Sequence, residues 1–434
     1  MSTDRAPAGI VVECDLAEVI PAIASPRAGV PAFVLVRIFT EPVGMLRLLL
    51  TAQGLTPRQL ARAIVAELEP ELRTRIEECG LSFDGELPVD GLQPPRPPSF
   101  LRSRERVLRD GPEMTLAICT RDRPEGLATL LESVHAQTYP RLRTVVVDNA
   151  PSDDSSLRVV SALAHHRDIE YVTEPRPGLS WARNRAIEAT DGEILAWADD
   201  DEVLDRWWTA ELARGFVEAP AAGAVSGPVI PSELETQSQL WFEEYNGILT
   251  GRGFARAVLS PSTLHDQSPL YPLPPFGCGG NMAWRREALE RIGGFDCALG
   301  AGTATQAGED TAVLSELLLA GGTIVYQPTA IVHHCHRRDY DTLRRHMRAY
   351  GRGLSAFYAS VLVHRPECAP ELLRLTGQAM RHQLSRRGRR PAGAAGHLPR
   401  ELVRANQLGL VQGAFMYPGA RLHARRLGRT AARR

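Results

Sequence analysis

The sequence predicts an α/β protein: a doubly wound, mostly parallel sheet with a small N-terminal α/β domain and a basic helical C-terminal tail. Three observations point there. Between Met114 and Ala198, strand-length apolar runs alternate with helical patterns, as parallel strands joined by crossovers require. Pro88, Pro94, Pro95, Pro97 and Pro98 crowd one short stretch and mark a boundary between units. From Ala379 to Arg434 there are 13 arginines and one acid, Glu401.

In chain order, residues 1–88 read as an accessory domain for packing or partner binding. Residues 32–39 and 45–50 are apolar runs of strand length. Thr56, Pro57 and Gln59 then form a capping box with proline at the first helical position, and Leu60, Ile64 and Leu68 give that helix an apolar face. Residues 89–110 are expected to be a proline-rich linker. Residues 111–345 carry the alternating pattern. Strands are expected at 114–119, 143–147, 169–172 and 194–198, with helices near 127–134, 157–163 and 179–189. After Gly227 the alternation weakens. A proline-rich loop at 261–275 precedes Gly277, Gly279 and Gly280, then helices near 286–292 and 310–319 and a strand at 323–326. Residues 346–434 read as helical and rich in arginine.

The 434 residues allow two or three domains. The 50 cationic residues, all arginine, nearly balance 51 acids for a net charge of −1, which argues against general nucleic-acid binding. Arginine suits phosphate, because its fork bonds two oxygens at once. Seven scattered cysteines with no CxxC pair argue against a disulfide framework or structural zinc and fit a reducing cytoplasm. The first 30 residues lack the pattern of a secretory signal. The most apolar stretch, 317–332, is broken by Gly321, Gly322 and Pro328, so membrane contact is expected to be peripheral, through the basic tail.

Chemistry-bearing residues gather where strands end, which is where doubly wound sheets bind ligands. Asp199, Asp200, Asp201 and Glu202 follow an apolar strand. Four adjacent acids repel one another, and a divalent cation with hard oxygen ligands offsets that repulsion. Asp148 ends another strand and can accept from a base or ribose; an Asx-type turn cap is the alternative. Arg183, in the first turn of a helix, can reach a nucleotide or phosphate, or lie on the helix surface. Glu309 and Asp310 open a helix, where acids are also favoured by the macrodipole. His333, His334 and His336 suggest metal ligation or proton traffic.

Together these segments resemble the family 2 glycosyltransferases of the GT-A fold. "TLAICTRDRPEGLATLLESVHAQTYP" resembles the opening strand, nucleotide loop and first helix, with Asp122 where the family commonly has Asn. "RTVVVDNAPSDD" is similar to the strand with the base-contacting aspartate. "RPGLSWARNRAIEATDGEILAWADDDE" resembles the helix leading into the metal-binding DXD. "FGCGGNMAWRREALERIGGFD" is similar to the acceptor loop, "AGEDTAVLSELLLAGG" to the catalytic ED segment, and "AIVHHCHRRD" to the closing segment with its metal-facing histidine. The resemblance covers about residues 116–352.

It implies an inverting, metal-dependent transfer of a sugar from a nucleoside-diphosphate sugar to an acceptor hydroxyl, in cell-surface glycan, glycolipid or natural-product glycosylation. Asp310 is implied as catalytic base, with Glu309 beside it. Thr120, Asp122, Arg123, Asp148, Arg183, Asp199 and Asp200 are implied around the donor nucleotide. Asp199, Asp201 and His334 are implied as ligands of Mn²⁺ or Mg²⁺, with His333 or His336 as alternatives to His334. Gly279, Gly280, Asn281 and Glu309 are implied on the acceptor side, the acceptor being a carbohydrate, lipid-linked or small molecule. A catalytically silent sugar-nucleotide binder or scaffold is the alternative. The cytoplasm, with peripheral contact to the inner face of an anionic membrane, is the expected location.

Overall fold

The computed structural model describes residues 7–163, 168–246, 253–264, 268–270, 277–385 and 398–431. The expected loop at 261–275 falls partly outside them. In the N-terminal unit, β1 (Ile10–Asp15), β2 (Pro31–Ile38) and β3 (Glu41–Leu49) form one sheet, β1 parallel and β3 antiparallel to β2. α1 (Pro57–Glu78) covers it. Thr56 Oγ1 accepts from the Gln59 N–H, and Gln59 Oε1 accepts from the Thr56 N–H, so the expected capping box forms. Leu68 leaves helical geometry just before Pro70, whose ring clashes with the preceding turn. Within the stretch expected as linker, α2 (Ser99–Asp110) is a helix.

The chain continues through β4 (Met114–Thr120), α3 (Pro124–His135), β5 (Leu142–Asn149), α4 (Ser155–Leu163), β6 (Ile169–Glu174), α5 (Leu179–Ala189), β7 (Ile194–Asp199), β8 (Glu202–Leu204), α6 (Trp208–Glu218), β9 (Ala224–Ser226), β10 (Val229–Pro231), α7 (Gln237–Asn246), β11 (Ala257–Leu259), β12 (Met282–Arg285), α8 (Arg286–Arg291), α9 (Glu309–Leu319), β13 (Ile324–Tyr326), β14 (Val332–His334), α10 (Tyr340–His364), α11 (Ala369–Ser385) and α12 (Arg400–Ala431). Among the described residues, eight strands pair in the order β11-β13-β9-β12-β7-β4-β5-β6. β7, β4, β5 and β6 are mutually parallel, as are β9 and β13, while β12 and β11 run antiparallel to their neighbours. Alternation explains why β4 is buried along its whole length. Leu116 and Ile118 pack with Leu127, Leu130 and Phe216 on one face; Ala117 and Cys119 pack with Ala182, Leu289 and Leu314 on the other. A second small sheet, β10-β14-β8, stands beside the end of β7.

The N-terminal unit is docked on this domain. Leu35 packs with Ile230 and Ile331, and Phe33 with Leu234 and Leu240. A buried charge network crosses the junction. Arg214 donates to Glu41 at 2.7 Å, and Arg104 of α2 bonds both Glu211 and Thr40. At the other end, α12 lies along α10. Gly413 permits the close approach, since a Cβ there would stand 2.0 Å from the Arg352 carbonyl oxygen. The part of the basic tail in α12 is therefore a helix packed along α10. Among the described residues no helix is long and apolar enough to cross a membrane.

Candidate active site

Strand register assembles the site. Thr120 pairs with Asp148 across β4 and β5, and Cys119 with Asp199 across β4 and β7, so three polar clusters share the carboxyl edge of the sheet. The loops leaving it are strained: Asp122 and Ala150 have φ of 53° and 47°. Ser152 donates its N–H and Oγ–H to Asp122, holding that carboxyl below the usual range. Asp148 is fully buried and accepts from the Tyr171 hydroxyl at 2.7 Å; burial pushes its pKa up. Asn149 staples the turn before α5, accepting from the Gly178 N–H and donating to the Arg176 carbonyl.

The acid run divides into separate environments. Thr120 donates to Asp200 at 2.7 Å and Arg123 pairs with the same carboxylate, yet burial still pushes Asp200 up to about 6. Glu202 turns back to accept from the Asp199 N–H at 2.8 Å; burial, with Asp199 and Asp201 nearby, raises it well above the usual range. Asp199 is raised by burial and by Asp201 and Asp310, against the pull of Arg183. Asp201 alone is lowered. Burial opposes its ionisation, but His334, Arg123 and Arg337 overcome that penalty. Arg337 donates to Asp201 Oδ2 at 2.7 Å, and Arg123 approaches the same oxygen at 3.3 Å.

Arg183 departs from expectation. Expected near the base or the phosphates, it is 1% exposed, with its fork spent on protein groups. It donates to Glu309 at 3.0 Å, to Asp199 at 3.2 Å and to the Gly279 carbonyl at 3.2 Å. It thus ties the acid edge to the ED segment and the glycine loop. Glu309 is pushed up to about 7 by burial and by Asp310, despite Arg183. Asp310 is half-buried, accepting from the Gly279 N–H at 2.8 Å and the Thr311 N–H at 2.7 Å. Gly280 is required by Glu202: a Cβ would lie 2.0 Å from its Oε1. Asn281, implied on the acceptor side, is fully buried. It donates to the carbonyls of Pro228 and Ala330 and accepts from Trp208 Nε1, so its side chain braces the glycine loop from behind.

The three histidines separate by strand alternation. β14 pairs antiparallel with β8, setting His334 beside Glu202, and the Cys335 N–H donates to the Asp201 carbonyl. His334 Nε2 then faces Asp201 Oδ1 at 3.6 Å. His333 points away to Glu13 of the N-terminal unit at 3.3 Å. His336 Nδ1 meets His334 Nδ1 at 2.7 Å, and His336 Nε2 meets Glu243 at 2.9 Å. Burial disfavours a charged His336 even beside Glu243. A neutral His336 that donates from Nε2 to Glu243 must accept at Nδ1. His334 then donates from Nδ1, and its Nε2 can carry a proton to Asp201 or bind a cation beside it. Phe242 packs against both imidazoles.

Four groups around Asp201 were not singled out from sequence. Arg337 was hidden in a basic run, and Glu243 in an apolar-acidic helix far from any motif. His346 and Tyr350 stand one turn apart on α10, with ring centroids 6.1 Å from each other. Burial and Arg337 bring His346 down to about 4. Their four-residue spacing was the available signal.

The donor set fits a hard divalent cation. Six acids, Asp199, Asp200, Asp201, Glu202, Glu309 and Asp310, converge on three guanidinium groups, Arg123, Arg183 and Arg337. Asp201 Oδ1 and His334 Nε2 face each other at 3.6 Å, so a proton or a metal ion can sit between them. Among the described residues no three Asp, Glu, His or Cys side chains form a ready-made cage. That suits Mg²⁺-type ions, held by one or two protein groups together with substrate phosphates.

Residues 115–293 match the model of glycosyl transferase family 2. The chain is 31% identical over 226 residues to the succinoglycan biosynthesis protein ExoM of Rhizobium meliloti, across 50% of this chain and 65% of that protein. It is 24% identical over 241 residues to the glucosyl-dolichyl phosphate glucuronosyltransferase of Haloferax volcanii, across 53% of this chain and 72% of that one. Among solved structures, a mannosyltransferase from Pyrobaculum calidifontis in complex with GDP-Man and Mn²⁺ superposes with a TM-score of 0.43 at 18% identity, covering 86% of this chain and 87% of that one.

Proposed function

We propose that the protein, whose residues 115–293 match the model of glycosyl transferase family 2, is an inverting transferase that moves a sugar from a nucleoside-diphosphate sugar to an acceptor hydroxyl. One observation carries this reading: Arg183 joins Asp199, on the carboxyl edge of the sheet, to Glu309, the neighbour of Asp310. A donor on the edge and a base for the acceptor are thereby held in one rigid frame.

Asp201 and His334 are the groups that would hold Mn²⁺ or Mg²⁺, with Asp199 the nearer acid on the donor side. The bound cation supplies Lewis-acid stabilisation of the diphosphate leaving group. Arg123 and Arg337 now neutralise Asp201, and both are about one-third exposed, so each can turn from that carboxylate to the donor's phosphates. Asp122 and Asp148 flank the space for base and ribose, while Thr120 and Asp200 fix the loop between them. Asp310 takes the acceptor proton as the hydroxyl attacks the anomeric carbon from the face opposite the leaving group. Its orientation is set by the N–H groups of Gly279 and Thr311, and one displacement inverts the configuration. Gly279, Gly280 and Glu309 border the acceptor side.

The acceptor is a carbohydrate, lipid-linked or small molecule. The likeness to a succinoglycan biosynthesis protein supports polysaccharide or other cell-surface glycan synthesis. Seven unpaired cysteines suit a reducing cytoplasm. The experiment is release of nucleoside diphosphate from a panel of sugar nucleotides without acceptor. Slow hydrolysis of one donor, abolished by EDTA, supports the transferase. Donor binding with no turnover under any condition supports the silent binder.

A further inference from the structure

The exposed side of α12 carries a feature that the transferase reading does not use. Leu408, Val411, Phe415 and Leu422 are 55%, 66%, 84% and 58% exposed. Their spacing of three, four and seven residues puts them within about 60° of arc on the helix. The stripe runs about 21 Å along the axis. It lies opposite the face that packs on the protein, where Leu402, Ala405, Gly409, Gly413, Tyr417 and Ala420 are buried. The apolar stripe is therefore additional to the helix's own core contacts. Arg404, Arg425, Arg426 and Arg429 are exposed on or beside it, and no acid follows Glu401.

We propose that this face of α12 docks on an anionic lipid bilayer, with the four apolar side chains below the headgroups and the arginines on lipid phosphates. A helix with an apolar face and a cationic border has the amphipathic build of an interfacial helix. Arginine bonds two phosphate oxygens at once. The charge pattern selects the occupant: a second copy seated on the same stripe would bring arginines against arginines, whereas an anionic leaflet complements them. Tyr417, on the opposite face, donates to Asp296 at 2.7 Å and is fully buried, so the helix meets lipid as a fixed part of the protein. This goes beyond a generally basic tail by assigning the insertion to particular side chains, and it holds whether or not the protein transfers sugar.

The test is flotation of the full chain with phosphatidylcholine vesicles and with vesicles of phosphatidylcholine and phosphatidylglycerol at 7:3, in physiological salt. The wild type should float with the mixed vesicles and not with phosphatidylcholine alone. Phe415→Ser alone, at a site 84% exposed, should weaken binding by roughly tenfold with unchanged melting. Leu408→Ser/Val411→Ser/Phe415→Ser should abolish it, and Arg425→Gln/Arg429→Gln should erase the preference for anionic lipid. Donor binding should be the same in all of them, which separates this proposal from the transferase reading. No flotation of the wild type, or serine variants that float like it, would overturn the assignment. So would light scattering that finds a dimer dissociated by the serine substitutions, since the occupant would then be a second copy.

Discussion

His334 Nε2 and Asp201 Oδ1 face each other across 3.6 Å, and Nδ1 of His334 is bonded through His336 to Glu243. Glu243 and His336 therefore act on the cation through His334, as outer groups that fix a ligand's tautomer do. Glu243→Ala should lower Mn²⁺ affinity by about 10–100-fold. Long-range ¹⁵N–¹H spectra should show His334 protonated at Nδ1 in the metal-free wild type and as a mixture of tautomers in the variant. Unchanged spectra and affinity would remove Glu243 from this role.

Asp310 receives N–H bonds from Gly279 and Thr311, so Asp310→Asn changes its basicity with little change in shape. General-base catalysis contributes roughly 10²–10⁴-fold. The expected result is a kcat at least ~10²-fold lower with donor Kd unchanged. Wild-type turnover in the variant would exclude Asp310 as the base.

Glu309 sits at about 7 because burial and Asp310 disfavour its charge. Between its unfolded value, about 4.3, and the folded one, the folded protein holds a proton that the unfolded chain has lost. Stability should therefore fall as pH rises through that window and stay lower above it. Glu309→Gln should flatten this decline, measured as melting temperature in EDTA from pH 4.5 to 8. Parallel curves for the two proteins would contradict the assignment.

Glu41 lies between Arg214 and Arg104 at the junction of the N-terminal unit and the sheet domain. Glu41→Ala leaves two buried guanidinium groups short of a counter-charge. Breaking a buried pair from one side costs about 3–5 kcal/mol. Urea unfolding should show a loss of that size; a change below about 1 kcal/mol, the scale of a surface pair, would mean the network is solvated.

The strands around the site were legible because both faces of the sheet are covered. β4, β5 and β7 are short apolar runs that each end in polar residues, and the capping box at Thr56 announced α1. β8, β9, β10 and β14 are three residues each, too short for alternation to register. α2 was masked by the prolines before it. Asp201 and Asp310 drew notice from local pattern, one in an acid run after an apolar strand and the other in an acid pair opening a helix. The direction of Arg183 was not, since its partners lie 16, 96 and 126 positions away and only the folded sheet brings them together. Asn281 and the Glu243–His336 contact were closed to sequence for the same reason: a buried amide and a surface amide look alike until their neighbours are known.

The central claim is a cation-dependent donor site at Asp201 and His334. The most direct measurement is melting temperature against a panel of nucleoside diphosphates and sugar nucleotides, with Mn²⁺, with Mg²⁺ and with EDTA, for the wild type and Asp201→Ala. A ligand at 100 times its Kd stabilises by about 2.7 kcal/mol, enough to read as a shift. The expected result is a shift for one nucleotide class in the wild type, lost in EDTA and absent in Asp201→Ala. A shift that persists in EDTA, or that survives in Asp201→Ala, would contradict it.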